Sequence, residues 1–84
     1  MTGIDINGKR FAITGTLPIV RAAAASLLES RGGIYQPRVT RETDVLIVGK
    51  LRKVSHKLVR AQHLKESGYE LVILYRDSAT QEFI

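Results

Sequence analysis

The chain has 84 residues, 44% hydrophobic and 25% charged, with 13 Lys and Arg against 8 Asp and Glu and a formal net charge of +5. That length holds one small domain with a modest core, and the composition is too apolar for a disordered tail. Cysteine is absent, which excludes disulfides, thiolate catalysis and Cys-based zinc sites. No apolar run approaches the ~18 residues of a membrane span, no signal-peptide pattern precedes Gly8, and the positive balance favours acidic partners, nucleic acid foremost.

In chain order, Met1 to Asn7 shows no periodicity beyond Ile4 and Ile6 and reads as a lead-in, with residues 8–84 as a single domain. Gly8-Lys9-Arg10 turns into a first strand over 10–14, where Phe11, Ala12 and Ile13 run into Thr14-Gly15-Thr16. Pro18 suits a first helical position, where its missing N–H costs nothing. The stripe Val20, Ala23, Ala24, Leu27 and Leu28 predicts a one-sided helix from Pro18 to Arg31, with Thr16 as its N-cap and Gly32 closing it. Ile34-Tyr35-Gln36 predicts a short second strand halted by Pro37, and a polar loop follows over Val39 to Thr43. The unbroken run Val45-Leu46-Ile47-Val48 predicts a third strand buried on both faces of a parallel sheet and ended by Gly49. Ser55 fits the N-cap of a second helix reaching about Ser67, with Val54, Leu58, Ala61 and Leu64 as its buried stripe and Gly68 as its stop. Leu71 to Leu74 predicts a fourth strand. Ser78 followed by Gln81 fits a capping box, opening a last short helix that returns Phe83 and Ile84 to the sheet. Strands alternating with helical patterns place the chain in the α/β class, with a small and mostly parallel sheet.

A strand that hands over to a helix through Thr14-Gly15-Thr16 gathers backbone N–H groups, hydroxyls and a positive helix end, which is a physical anion site. Ligands of open α/β sheets bind beyond the carboxyl ends of the strands. The basic loop after Gly49 shares that end, and a helix starting near Ser55 would aim Lys57 at it. Between Asp44 and Glu66 no acidic residue occurs, whereas Lys50, Arg52, Lys53, Lys57, Arg60 and Lys65 all do, with His56 and His63. Such runs are commonly solvated faces; their clustering here raises phosphate or nucleic acid above that default. Lys57 in a first helical turn opposes the dipole by ~0.3–1 kcal/mol, a cost that a bound anion would reverse. His56 and His63, seven apart without a carboxylate, read as surface imidazoles and give no metal site. Neither a G-x-G-x-x-G nor a G-x-x-x-x-G-K-[ST] pattern is present, and neither His belongs to a nucleophile constellation, so enzyme readings lack their scaffolding.

The ordered set Gly8 to Leu17, Arg21, Gly32-Gly33, Val39-Thr40, Asp44 to Gly49 and Ser55 to Ala61 resembles a BRCT domain, over nearly all the chain from Gly8 to Leu74. The likeness is to the bacterial type at the end of NAD-dependent DNA ligases and in replicative exonuclease subunits of the DNA polymerase III epsilon kind. It extends to the BRCT domain in the large subunit of the eukaryotic clamp loader. The resemblance implies a four-stranded parallel sheet of order 2-1-3-4 flanked by helices. It also implies a non-catalytic module of a DNA replication or repair protein, without cofactor, cut from a larger enzyme. Such a module would be cytoplasmic and nucleoid-associated in a bacterium, or nuclear in a eukaryote.

Phosphate-binding members of that family use a Ser or Thr with the adjacent Gly after the first strand, and a Lys in the second helix, positions that fall on Thr14, Gly15 and Lys57. In the clamp-loader type an early Arg of the first helix contacts a DNA 5′-phosphate, and that position falls on Arg21. The resemblance thus implies a 5′-phosphate pocket of Thr14, Gly15, Arg21 and Lys57, and the clustered positive charge adds Lys50, Arg52, Lys53 and Arg60 along the DNA backbone. The implied partner is a 5′-phosphorylated DNA end, with no membrane and no metal. A phosphoprotein offering phosphoserine or phosphothreonine to the same pocket is the alternative. A purely structural docking role is the third, and an exposed apolar patch would mark it. The aromatic residue that the family carries in its last helix is Ala79 here by spacing, with Phe83 a later substitute.

Overall fold

Val45-Leu46-Ile47-Val48 becomes the central strand because four consecutive apolar side chains can be satisfied only where both faces of a sheet are covered. In the computed structural model, which describes residues 6–17 and 19–75, all four are buried. This strand, β3 (Val45–Val48), pairs in parallel with β1 (Arg10–Thr14) on one side and β4 (Val72–Tyr75) on the other. The two-residue β2 (Ile34–Tyr35) adds to the far side of β1, so the sheet runs β2-β1-β3-β4. The α/β class and the order 2-1-3-4 are both as expected. The last-helix expectation on Ser78, Ala79, Gln81, Phe83 and Ile84 lies outside the described residues, as does Pro18.

Period-two alternation divides the core into two halves. Phe11, Ile13, Val45 and Ile47 face α1 (Arg21–Glu29), packing with Ile6, Leu17, Ala24, Ala25 and Leu28. Ala12, Leu46 and Val48 face α2 (His56–Glu66), packing with Val39, Ala61 and Leu71. The Phe11 and Tyr35 rings meet at 5.6 Å between centroids, tilted by 57°, and join β2 to the first half. Ile6, read from the sequence as part of a lead-in, is buried in this core at 3% exposure.

Several local expectations need correction. α1 begins at Arg21 instead of Pro18, and its N-cap residue, Val20, makes no side-chain cap hydrogen bond. Thr16 is not the cap. Its N–H donates to the Lys50 carbonyl at 2.9 Å and its carbonyl accepts from the Lys50 N–H at 2.8 Å, so its backbone is held in a small bridge. The buried stripe of α1 is therefore Ala24, Ala25 and Leu28, with Val20 73% exposed and Ala23 on the surface. Val54 lies before the α2 cap, outside the helical stripe, and is 74% exposed. β4 begins one residue later than expected, after the buried Leu71. β2 ends at Tyr35, although the Gln36 N–H still reaches the Phe11 carbonyl at 2.7 Å.

The corrected stripe makes a direct prediction. Leu28→Ala removes a side chain that is 1% exposed and should lower the unfolding free energy by ~2–5 kcal/mol in urea denaturation. Val20→Ala should change it by less than about 0.5 kcal/mol, as surface substitutions do. Equal losses would restore the stripe read from periodicity.

Candidate anion-binding site

Two strands end side by side at the carboxyl edge of the sheet, and glycines let their turns touch. Gly15, directly after β1, has φ +82°, and a Cβ there would stand 2.9 Å from the backbone carbonyl group of Gly49. A Cβ on Gly49 would in turn run into the Thr16 carbonyl. With both side chains absent, the Gly49 N–H donates to the Thr14 carbonyl at 2.8 Å and the Thr16–Lys50 bridge closes beyond it. The basic loop after β3 is thereby fixed beside the Thr14–Gly15 turn.

α2 is brought to the same edge by its own cap. Ser55 Oγ accepts from the Leu58 N–H at 3.1 Å, as an N-cap hydroxyl should. The same Oγ lies 2.6 Å from Thr14 Oγ1. Each hydroxyl carries one proton, and only one is used between the two. Both residues line one cleft.

One turn along, Lys57 Nζ donates to the Ile13 carbonyl at 3.0 Å. From the opposite side, Arg21 Nη2 donates to the Gly15 carbonyl at 3.0 Å. Thr14, Gly15, Arg21 and Lys57 therefore meet at the carboxyl end of β1. Burial holds the Lys57 ammonium below its ordinary pKa, and the charge of Arg21 lowers it further. Because the folded protein gives up that proton more readily than the unfolded chain, stability rises with pH as the solution passes from the depressed value to 10.5. Below that window the penalty is present in full. An anion seated between the two cations would offset both causes.

The basic residues from Lys50 to Arg60 fall into two neighbouring clefts, whereas Lys65 lines a groove at the amino edge. The first, of about 290 Å³, is lined by Thr14, Gly15, Arg21 and Ser55 with the loop from Lys50 to Lys53. The second, of about 380 Å³, is lined by Lys57 and Arg60 with Arg38, Val39, Thr40 and His56. Arg60 is held there by a 2.7 Å bond from its Nε to the Val39 carbonyl. Among the described residues no acidic side chain lines either cleft; Asp44 and Glu70 line a groove at the amino edge of the sheet. Sequence reasoning assigned Ser55 only a capping role, read His56 as a surface imidazole and did not single out Arg38. Their grouping depends on β2 lying next to β1, which no local pattern encodes.

Arg21→Gln should raise the Lys57 pKa toward, but not to, its ordinary value, because burial remains after the like charge is gone. NMR titration of the lysine side-chain signals reads this directly; an unchanged or lower value would mean that Arg21 does not act on Lys57. Ser55→Ala should lower the unfolding free energy by ~0.5–2 kcal/mol through loss of the cap, measured by chemical denaturation.

Comparison with known proteins fits this architecture. The profile of the BRCA1 C Terminus (BRCT) domain matches residues 4–67. DNA ligases from a Synechococcus species and from Herpetosiphon aurantiacus are each 47% identical to this chain over 58 residues, which is 68% of the chain and 8% of the ligase. The DNA ligase of Thermodesulfovibrio yellowstonii is 38% identical over 60 residues, 71% of the chain and 9% of the ligase. The chain thus matches only a small part of the length of these relatives. With the family profile running through both helices and a sheet ordered β2-β1-β3-β4, the chain belongs to the BRCT family.

Proposed function

We propose that this chain is a non-catalytic module of a DNA replication or repair protein and that it binds DNA ends. Thr14, the Gly15 backbone, Arg21 and Lys57 hold the 5′-phosphate in this reading, and Lys50, Arg52, Lys53 and Arg60 follow the DNA backbone. The parent enzyme is a DNA ligase or a DNA polymerase III epsilon-like exonuclease. The observation that carries the reading is the anchoring of Arg21 and Lys57 on the carbonyls of Gly15 and Ile13, two residues apart on one strand end. Each bond uses one donor of a side chain that has several. The remaining donors are positioned beforehand for a charge-assisted contact with phosphate. The similarity to DNA ligases favours DNA as the polyanion. Contacts of this kind set position and affinity and read little sequence.

A second reading has its own support. Ile19 and Val20 on one side of the Thr14–Thr16 turn, and Leu51 and Val54 on the other, are 40%, 73%, 37% and 74% exposed. Aliphatic side chains around a phosphate cleft suit a protein partner, either a phosphopeptide in the same pocket or the parent protein docked on this face.

Fluorescence anisotropy with a short recessed duplex decides between them. The 5′-phosphorylated end should bind about tenfold or more tightly than the hydroxyl end, and Lys57→Ala and Arg21→Ala should each remove the difference. Affinity should fall steeply and log-linearly with salt. Equal binding of the two ends defeats the end-binding reading, and saturable binding of a phosphothreonine peptide in its place moves the site to the second.

A further inference from the structure

Lys57 lines a second cleft beside the one at the Thr14–Gly15 turn, with its Nζ held on the Ile13 carbonyl at 3.0 Å. The second cleft is lined by Arg38, Thr40, His56 and Arg60 together with Lys57, with Val39 at its floor. Arg38 lies just beyond β2, the neighbour of β1 in the sheet. This cleft therefore lies on the carboxyl side of the sheet, formed by the loop that follows β2 and the first residues of α2.

The walls of the second cleft are set before any ligand arrives. Arg60 is pinned through Nε to the carbonyl of the buried Val39, so its two Nη groups remain for other acceptors. The loop carrying Arg38 and Thr40 is tied internally. The Thr40 N–H donates to Thr43 Oγ1 at 2.9 Å, and the Thr43 hydroxyl donates to Gln36 Oε1 at 2.7 Å. His56, Lys57 and Arg60 all fall in the first five residues of α2, whose first turn carries no acidic residue. Cations gathered against a helix dipole without a counter-charge are poorly placed for stability. They are well placed for a second anion.

We propose that the second cleft is a phosphodiester subsite. With the 5′-phosphate at Thr14–Gly15, the next phosphate inward on the same strand is bound by Arg38, His56 and Arg60, and Lys57 lies between the two. The inference rests on the end-binding reading and adds to it that the module holds the strand bearing the 5′-phosphate by two successive phosphates. The module then follows that strand across the ends of β1 and β2, so the phosphates of the opposite strand matter less.

The test uses the 5′-phosphorylated recessed duplex with a single neutral methylphosphonate, placed either at the first internal linkage of that strand or far inside the duplex. Substitution at the first linkage should weaken binding roughly tenfold, whereas the distant one should have little effect. Arg38→Ala and His56→Ala, both at exposed positions, should weaken binding of the all-phosphate duplex by a similar factor and leave the first-linkage methylphosphonate duplex unaffected, the non-additivity of groups in contact. If the two methylphosphonates are equivalent, or the variants weaken all duplexes alike, the second subsite is overturned while the 5′-phosphate preference stands. If that preference is itself absent, both readings fall.

Discussion

Everything at the carboxyl edge depends on how closely two backbone turns approach each other. A Cβ on Gly15 would run into the Gly49 backbone and one on Gly49 into the Thr16 backbone, and the Thr16–Lys50 bridge closes over them. Without that approach β1 and β3 would still pair through Thr14 and Val48. The chain beyond each strand would then diverge, as loops leaving neighbouring parallel strands generally can. The bridge turns two independent loops into one surface. It also bears on where α1 starts: Thr16 is committed to the bridge with Lys50, and the helix begins only at Arg21.

On that surface the cations are placed by carbonyl oxygens, not by carboxylates. Arg21, Lys57 and Arg60 each donate to a main-chain carbonyl, at Gly15, Ile13 and Val39. A salt bridge would have fixed the same side chains but cancelled their charge. A carbonyl fixes them and leaves the charge standing. The depressed Lys57 pKa records the cost of this arrangement, because a partly buried ammonium beside a guanidinium has been given no compensating anion. The acidic residues Asp44 and Glu70 lie toward the other edge, where Asp44 Oδ2 accepts from the Arg10 N–H at 2.9 Å. Lys9 and Lys65 line the groove there with them, whereas among the described residues no acidic side chain lines the two clefts at the carboxyl edge.

How much of this was legible from residues alone follows from the range of each interaction. β3 was readable because four apolar residues between Asp44 and Gly49 have one solution in an α/β chain. The Ser55 cap was readable because capping chemistry is local. The α1 start was not, since a long-range bridge to Lys50 overrode what Pro18 and the Val20 stripe suggest. Thr14, Gly15, Arg21 and Lys57 were picked out by resemblance more than by periodicity, and the structure brings them to one strand end. Lys57 and Arg60 nevertheless line a different cleft from Lys50, Arg52 and Lys53. Arg38 was not singled out and His56 was read as a surface imidazole because the two are near each other only through strand order, and order came from family likeness, not from any pattern in the chain.

The thinness of the α2 attachment has a consequence of its own. Of its eleven residues only Ala61 is buried, with Leu58 and Leu64 packed partly against the sheet. Much of what seats the helix is polar and lies at its first turn: Ser55 on Thr14, and Lys57 on the Ile13 carbonyl. An element with so few buried contacts belongs to the part of a protein that opens locally well below the global unfolding free energy. A ligand engaging Ser55 or Lys57 would act as a missing piece of that seat. Occupancy and helix docking would then be a single equilibrium, with amide protection along α2 reporting on both.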